Sequence, residues 1–387
     1  MKFTIPFNRP SPAGNELAYI EQAIERGGLS GDGHFTKACH ALLEKSLGVP
    51  KVLLTTNCTH ALEMSALLLD LKPGDEVIVP SFAFVTTVNA FVIHGARPVF
   101  ADVRADTLNL DERQLARWIT PRTKAVVPLH YAGVACEMDP ILALAAKHGI
   151  TVIEDNAHGL YAKYRGRFLG TMGALGTQSF HETKNFTCGE GGALLINDVR
   201  FVERSEILRE KGTNRSRFLR GQVQKYTWVD VGSSYLPSDL LAAYLLAQLE
   251  AREQIQSQRR AIWGRYAEEL GDWAKFTGAM LPTVPAHCEQ AYHMFYVLLA
   301  STAQREALIH HLEQRGIGAV FHYLPLHLSE MGRKLGGKDG DCPVTEDISA
   351  RLLRLPFHNR LTALEQGQVI AAVQQFRGAL VGAPGPP

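Results

Sequence analysis

Hydrophobic and polar positions follow two different periods between residues 50 and 200. Short apolar runs of strand length recur, and stretches with apolar residues on one helical face separate them. This alternation is typical of βαβ units, and it predicts an α/β fold with a mostly parallel sheet flanked by helices. The predicted strands are 51–55, 76–79, 97–101, 125–129, 151–154, 174–180 and 193–196, and the predicted helices are 58–71, 85–94 and 138–148.

A long helical pattern over residues 238–270 leads out of this alternating region. A smaller α/β pattern follows, with predicted strands at 292–299 and 320–323 around a helix at 304–315. The 387 residues are 46% hydrophobic, which is enough apolar material for more than one core. We therefore predict a large domain over residues 1–250 and a smaller C-terminal α/β domain over residues 251–387.

Composition narrows the classes of function. The 40 basic and 39 acidic residues are evenly mixed and give a net charge of +1, which argues against a nucleic-acid partner. No apolar run is long enough to cross a bilayer, and the first ten residues have no apolar core of signal-peptide length. The six cysteines form no C-x-x-C pair, so no metal site is predicted. We expect a cytoplasmic protein with free thiols that binds neither membrane nor nucleic acid.

Chemically useful side chains follow four of the predicted strands. Thr59 comes after the first, Phe84 after the second, Asp155 after the fifth and Lys184 after the sixth. Each has an ordinary explanation when taken alone, such as a helix cap, a core aromatic, a turn residue or a solvated lysine. Ligands of open α/β sheets, however, bind beyond the carboxyl ends of the strands, where all four residues would meet.

Together these residues satisfy the requirements of one cofactor, pyridoxal 5′-phosphate (PLP). A helix N-terminus binds its phosphate, an aromatic side chain covers its ring, a carboxylate pairs with its pyridine nitrogen, and a lysine holds its aldehyde. The lysine must also reach its neutral form, which burial favours. The pattern predicts a PLP enzyme in which Lys184 and Asp155 are the catalytic residues.

Several motifs resemble those of the DegT-type sugar aminotransferases. The resemblance extends from Phe7 to about Leu361, and its strongest part is the ordered set of Asp, Ser and Lys. It implies a fold-type I PLP aminotransferase and a homodimer with shared active sites. The motifs are Pro80-Ser81-Phe82, Asp155-Asn156-Ala157-His158, Ser179-Phe180, Lys184-Asn185, Gly189-Glu190-Gly191-Gly192 and Gly232-Ser233-Ser234-Tyr235.

Within that family, segments 130–138, 180–185, 209–215, 221–223 and 225–228 are most similar to transaminases that aminate C4 of dTDP-4-keto-6-deoxyglucose. This closer resemblance implies L-glutamate as amino donor and dTDP-4-amino-4,6-dideoxygalactose as product. It also implies a pathway to bacterial surface polysaccharide or lipopolysaccharide, such as enterobacterial common antigen.

The resemblance assigns roles residue by residue. Lys184 matches the lysine that links to the cofactor, Asp155 the pyridine partner, and His158 a residue near the phenolic oxygen of the ring. Ser234 matches a phosphate contact donated by the partner subunit, where many relatives have Asn, and Cys58 stands where many have Gly. The implied cofactor-binding residues are Cys58, Thr59, Phe84, Asp155, His158, Ser179, Lys184 and Ser234, and the expected sugar-binding residues are His322, Tyr323 and His327.

Three other functions are less consistent with the sequence than amination at C4. Relatives that remove a sugar hydroxyl carry histidine at the cofactor-linking position, so Lys184 favours amination over dehydration. A 3-keto-sugar aminotransferase differs only in the closer resemblance described above. A non-catalytic, regulatory PLP-binding protein is disfavoured because the chain keeps every catalytic group.

Overall fold

The fold is built around a seven-stranded sheet. The structure is a computed structural model that describes residues 3–377. Strand order in this sheet is 51–55, 192–196, 175–179, 151–155, 123–126, 76–80 and 97–101. In chain order the strands are β1 (Lys51–Thr55), β2 (Glu76–Pro80), β3 (Arg97–Ala101), β4 (Thr123–Val126), β5 (Thr151–Asp155), β6 (Lys163–Tyr164), β7 (Arg167–Phe168), β8 (Leu175–Ser179), β9 (Gly192–Ile196), β10 (Cys288–Glu289), β11 (Tyr296–Leu298) and β12 (Leu352–Arg354).

Helices surround the sheet and form most of the C-terminal part. They are α1 (Glu16–Glu25), α2 (His34–Leu47), α3 (Cys58–Leu68), α4 (Thr86–Val92), α5 (Met138–His148), α6 (Val202–Arg209), α7 (Arg215–Leu219), α8 (Asp239–Glu250), α9 (Arg252–Glu269), α10 (Gly271–Thr277), α11 (Thr302–Glu313), α12 (Glu330–Lys334), α13 (Pro343–Arg351) and α14 (Ala363–Gln375).

Only β9 runs against the other strands of the large sheet, since it is antiparallel to both β1 and β8. Alternate residues of β1 face opposite layers. Val52 and Leu54 pack in a core with α2 and α8, whereas Leu53 packs in a core with α3 and α4. All five residues of β2 and of β9 are buried. Burial on both faces is typical of parallel sheets between helical layers, so the predicted α/β fold is confirmed.

A separate apolar core lies in the C-terminal part. It is formed by α9, α10, α11 and α14 with the antiparallel pair β11–β12, and Ile5 joins it from the N-terminal segment. Ile5 reaches this core through a parallel bridge to Ile317. The division into domains at residue 250 stays a prediction.

Three predicted elements differ clearly from the structure. The helical stretch 238–270 is two helices, α8 and α9, which Ala251 separates. The predicted strand 320–323 makes only a single bridge, from Val320 to Arg354. The predicted strand 292–299 shrinks to β11 because Tyr292 has a φ of 51° and the Arg259 side chain, not a strand, binds its carbonyl oxygen.

Every helix within residues 3–377 is too short or too polar to cross a membrane.

Candidate active site

The parallel strands bring the predicted residues to one edge of the sheet. Asp155 is the last residue of β5 and Ser179 the last of β8. Cys58 begins α3 shortly after β1 ends, and the segment containing Phe84 follows β2. Residues from four separate strand ends therefore surround one region, as expected for an open α/β sheet.

Asp155 is the acidic group at the centre of this region. Its side chain is 3% exposed. Oδ2 accepts a hydrogen bond from Thr87 Oγ1 at 2.7 Å, and Oδ1 accepts one from the backbone N–H of Ala157 at 3.2 Å. Burial raises the pKa of Asp155, whereas these two bonds and the charge of Lys184 oppose that rise. The carboxyl group is thus held in a fixed orientation by the helix α4 as well as by its own turn.

Lys184 lies in the loop between β8 and β9. Loss of solvent lowers its pKa from 10.5 to about 8, a shift that Cys58 and Asp155 oppose and Arg354 favours. A lysine with a pKa near 8 has an appreciable neutral fraction at physiological pH. Neutral lysine is the form that attacks a carbonyl carbon or accepts a proton.

The start of α3 forms a cradle for an anion. The Asn57 side chain caps the helix by accepting a hydrogen bond from the N–H of His60 at 2.8 Å, and Cys58 and Thr59 occupy the first turn. Gly192 faces this turn so closely that a Cβ atom there would lie 2.3 Å from the Asn57 carbonyl carbon. First-turn N–H groups and the helix dipole favour a phosphate group at this position.

Cys58 fits this turn without strain. It is the first helical residue of α3 and is absent from the residues with positive φ. A glycine is therefore not required at this position, and the departure from many relatives leaves the cradle intact. Burial raises the pKa of the Cys58 thiol well above its usual range, so the thiol stays neutral.

Aromatic side chains form a wall above the sheet edge. Phe84 is 55% exposed, and its ring centroid lies 6.3 Å from that of Tyr323. His322 Nδ1 is 3.1 Å from the hydroxyl of Tyr131, and the hydroxyl of Tyr323 is 3.4 Å from His158 Nε2. The structure thus brings His322 and Tyr323 next to the predicted cofactor residue His158.

His327 has a different environment from the one expected. Its side chain is 0% exposed, with Nδ1 2.6 Å from Ser81 Oγ and Nε2 3.0 Å from Glu346 Oε1. Both ring nitrogens are occupied, so no polar atom of this side chain is left for a sugar. These contacts favour a structural role, which joins the β2 loop to α13, over the predicted sugar contact.

Ser234 lies on the surface, close to the phosphate cradle of its own chain. The following residue, Tyr235, accepts a hydrogen bond from the N–H of Thr56 at 3.0 Å. Ser234 itself is exposed, and its backbone bridges Glu210. The contact of Ser234 with the cofactor phosphate of a partner subunit stays a prediction.

Two residues that no local motif marks also lie at this site. His293 stacks on His158, with ring centroids 4.3 Å apart and planes 17° apart. Arg354 ends β12, donates a hydrogen bond from Nη2 to the Phe321 carbonyl at 3.2 Å, and lies over the Phe7 ring. Leucines surround Arg354 in the sequence, and His293 falls inside a predicted strand. Neither position therefore carried a sequence signal.

These residues fit PLP. The structure supplies an oriented carboxyl group, an amine of lowered pKa, an anion cradle and an exposed aromatic ring. The buried Nδ1 of His158 has no hydrogen-bond partner among residues 3–377. A buried polar atom of this kind is costly unless a ligand satisfies it, and a ring with polar substituents would do so.

Comparison with known proteins supports this interpretation. The sequence profile of the DegT/DnrJ/EryC1/StrS aminotransferase family matches residues 10–374. The spore coat polysaccharide biosynthesis protein SpsC of Bacillus subtilis is 31% identical over 380 residues, which cover 96% of this chain and 97% of SpsC.

Two solved structures extend the comparison. The aminotransferase TlmJ of Streptoalloteichus hindustanus has a TM-score of 0.87 and 32% identity, covering 97% of this chain and 98% of TlmJ. The PLP form of the putative sugar aminotransferase Spr1654 of Streptococcus pneumoniae has a TM-score of 0.89 and 26% identity, covering 96% of this chain and 98% of that one. A form of Spr1654 with pyridoxamine phosphate (PMP) is similar to this chain as well. The cofactor of this chain is PLP.

Proposed function

Because this chain belongs to the DegT/DnrJ/EryC1/StrS aminotransferase family, we propose that it transfers the amino group of L-glutamate to C4 of dTDP-4-keto-6-deoxy-D-glucose. The products are dTDP-4-amino-4,6-dideoxy-D-galactose and 2-oxoglutarate. The amino sugar enters a bacterial surface polysaccharide of the enterobacterial common antigen type or a lipopolysaccharide. The relative SpsC, a polysaccharide biosynthesis protein, supports this direction.

The observation that carries the proposal is Lys184, an amine of lowered pKa in the same site as the buried Asp155. Bound PLP supplies an electron sink for the carbon that carries the amino group. Lys184 Nζ removes a proton from that carbon and later returns one, acting as general base and then as general acid. Asp155 keeps the pyridine nitrogen protonated, since a nearby negative charge stabilises the cationic form.

The charges around the site support an anionic substrate. Arg354 has an Nε that is buried without a hydrogen-bond partner, and within residues 3–377 no carboxylate forms an ion pair with this arginine. Burial lowers the pKa of His158, His293 and His322 well below its usual range, so these histidines are neutral. One uncompensated cation beside neutral polar groups favours a carboxylate or a diphosphate.

The cytoplasm is the proposed location. The six cysteines are all free, and four of them are buried with a thiol pKa that burial raises. Free thiols at this number fit a reducing compartment.

Product analysis tests the reaction. The PLP-loaded enzyme is incubated with L-glutamate and, separately, with 4-keto and 3-keto dTDP-sugars, and the products are identified by mass spectrometry and NMR. We expect an axial amine at C4 together with 2-oxoglutarate. An amine at C3 would show that the 3-keto sugar, and not the 4-keto sugar, is the substrate. The absence of any amino sugar would favour the non-catalytic, regulatory alternative.

His322 is expected to contribute to sugar binding. His322→Asn removes the ring that faces Tyr131, and we expect the KM for the sugar to rise about tenfold, as for the loss of one hydrogen bond. The glutamate half-reaction, followed by the loss of the visible cofactor band, is expected to change less than twofold.

His327→Asn is the matched control for this experiment. Because His327 binds Ser81 and Glu346, its replacement is expected to lower stability by ~1–3 kcal/mol and leave the sugar KM unchanged. Equal damage to both half-reactions by His322→Asn would contradict a role in sugar binding.

We further propose a homodimer with shared active sites. The surface just before Ser234 exposes large apolar side chains, of which Trp228 is 77% exposed and Val231 53%. Exposed apolar groups in a cluster are typical of protein–protein interfaces. This cluster lies on the segment that carries Ser234, where a partner subunit would bury it.

A mixing experiment tests this arrangement. Lys184→Ala and Ser234→Trp chains, each inactive alone, are unfolded together, refolded and assayed. If Ser234 contributes to the partner's active site, each mixed dimer has one intact site of two. Mixed dimers make up half of the total, so activity returns to about a quarter of the wild-type value. If Ser234 contributes to the active site of its own chain, every site carries one of the two substitutions, and mixing restores no activity.

A further inference from the structure

We infer that His293 is a positioning residue for amino transfer, because it holds the Lys184 loop through Asn185 and fixes the ring of His158 by stacking. The inference rests on the proposed use of Lys184 and does not depend on which sugar is the substrate. No residue near position 293 was assigned a role from the sequence.

The first contact joins His293 to the residue that follows the lysine. His293 Nδ1 lies 2.9 Å from Asn185 Oδ1. An amide oxygen only accepts hydrogen bonds, so Nδ1 of His293 carries the proton. The amide nitrogen of Asn185 donates to the carbonyl of Ala291 at 2.6 Å, which fixes the orientation of the amide. Asn185 is therefore held on both sides, and the backbone of Lys184 with it.

The second contact fixes His158. The two imidazole rings are stacked at 4.3 Å with an angle of 17°, and both residues are buried. His158 Nε2 faces the hydroxyl of Tyr323, whereas its Nδ1 is buried with no hydrogen-bond partner among residues 3–377. The stack sets the plane of the His158 ring and leaves His158 Nδ1 available to the bound cofactor.

The backbone of His293 is anchored from α9. Arg259 is buried, and it donates from Nε to the Tyr292 carbonyl at 2.8 Å and from Nη2 to the His293 carbonyl at 2.5 Å. Tyr292 has a φ of 51°, a conformation that costs free energy in a residue other than glycine. These bonds to a charged donor offset that cost, and they place His293 against the lysine loop.

A buried histidine often has only a packing role, and a pair of substitutions separates the two possibilities. His293→Phe keeps the ring and loses the Nδ1 donor, whereas His293→Asn keeps a donor near the Nδ1 position and loses the stack. Asn185→Leu removes the acceptor at similar volume. His311→Phe is the control, because its Nε2 also has one bond partner, the carbonyl of Ala372, in the C-terminal core.

The readouts are the visible circular dichroism of the bound cofactor, the single-turnover rate with L-glutamate and the melting temperature. We expect His293→Phe and Asn185→Leu each to slow the glutamate half-reaction about tenfold, as for one lost hydrogen bond, and to change the dichroism band. The double variant is expected to be no slower than Asn185→Leu alone, since that substitution already breaks the contact that His293→Phe removes. His293→Asn is expected to retain more of the rate, and His311→Phe is expected to leave rate and dichroism unchanged.

Wild-type rate and dichroism in folded His293→Phe, or additive losses in the double variant, would overturn the inference. If His293→Phe does not fold, Asn185→Leu and His293→Asn still decide the matter by the same readouts. Failure of the wild-type enzyme to react with L-glutamate would refute the proposed donor instead. The dichroism comparison needs no turnover, so the two failures remain distinguishable.

Discussion

Replacing Lys184 with alanine is expected to abolish the covalent link to PLP and to lower turnover by about 10⁴-fold or more, because the variant loses both its nucleophile and its general base. The anion cradle at α3 and the carboxyl of Asp155 remain, so PLP is still expected to bind reversibly. Borohydride reduction followed by mass spectrometry measures the link. The wild-type chain should gain the mass of the reduced cofactor, and the variant should not.

Lys184→Arg is the matched variant, since it keeps a positive charge near Asp155 and cannot form the link. It is expected to be as inactive as Lys184→Ala. Lys163 provides a control, since its side chain is 30% exposed and pairs with Glu289. Lys163→Ala should gain the same mass of reduced cofactor as the wild-type chain. Covalent trapping that persists in Lys184→Ala would mean that another lysine holds the cofactor.

Replacing Asp155 with asparagine is expected to slow both half-reactions together, by about a hundredfold or more. Asparagine keeps the size of the side chain and removes the charge that holds the pyridine nitrogen protonated. Each ~1.4 kcal/mol lost from the transition state costs tenfold in rate, and a charged hydrogen bond contributes up to ~3 kcal/mol. PLP is still expected to bind, because Lys184 and the start of α3 are unchanged. Single-turnover rates with L-glutamate and with the sugar measure the effect.

If Asp155 had only a structural role, a different result would be expected. The residue does accept a hydrogen bond from the N–H of Ala157 as a turn residue would, and the loss of such a cap costs about 1 kcal/mol of stability. Thr87→Val separates the roles, since it removes the hydrogen bond to Oδ2 and leaves the charge. We expect a smaller loss of rate for Thr87→Val than for Asp155→Asn. A near-normal rate with a lowered melting temperature in Asp155→Asn would remove Asp155 from the catalytic residues.

Much of this site could be predicted from the sequence because its chemistry is concentrated at strand ends. The apolar runs of the sheet are contiguous in sequence, and parallel strands place their carboxyl ends on one edge. In the structure Asp155 ends β5 and Ser179 ends β8, each within one residue of the predicted strand end, and Cys58 begins a helix as expected. Local pattern alone therefore predicted that Asp155, Lys184 and the start of α3 lie at one edge of the sheet, whereas Ser179 was assigned through the family resemblance.

Contacts between distant segments could not be predicted in this way. His327 and Tyr323 are four residues apart, yet Tyr323 faces His158 whereas His327 is buried between Ser81 and Glu346. No local pattern distinguishes the two, because their partners lie far away in the sequence.

The sequence by itself determined the α/β architecture and the set of groups that PLP requires, since strand length, helical period and strand-end chemistry are local properties. Only the tertiary structure decided how those groups are supported. His293 binds Asn185 across 108 positions of the sequence, and Arg259 of α9 binds the His293 carbonyl. Such bonds depend on how α9 and the segment before β11 pack against the lysine loop, and that packing is set by the whole chain rather than by any one stretch of it.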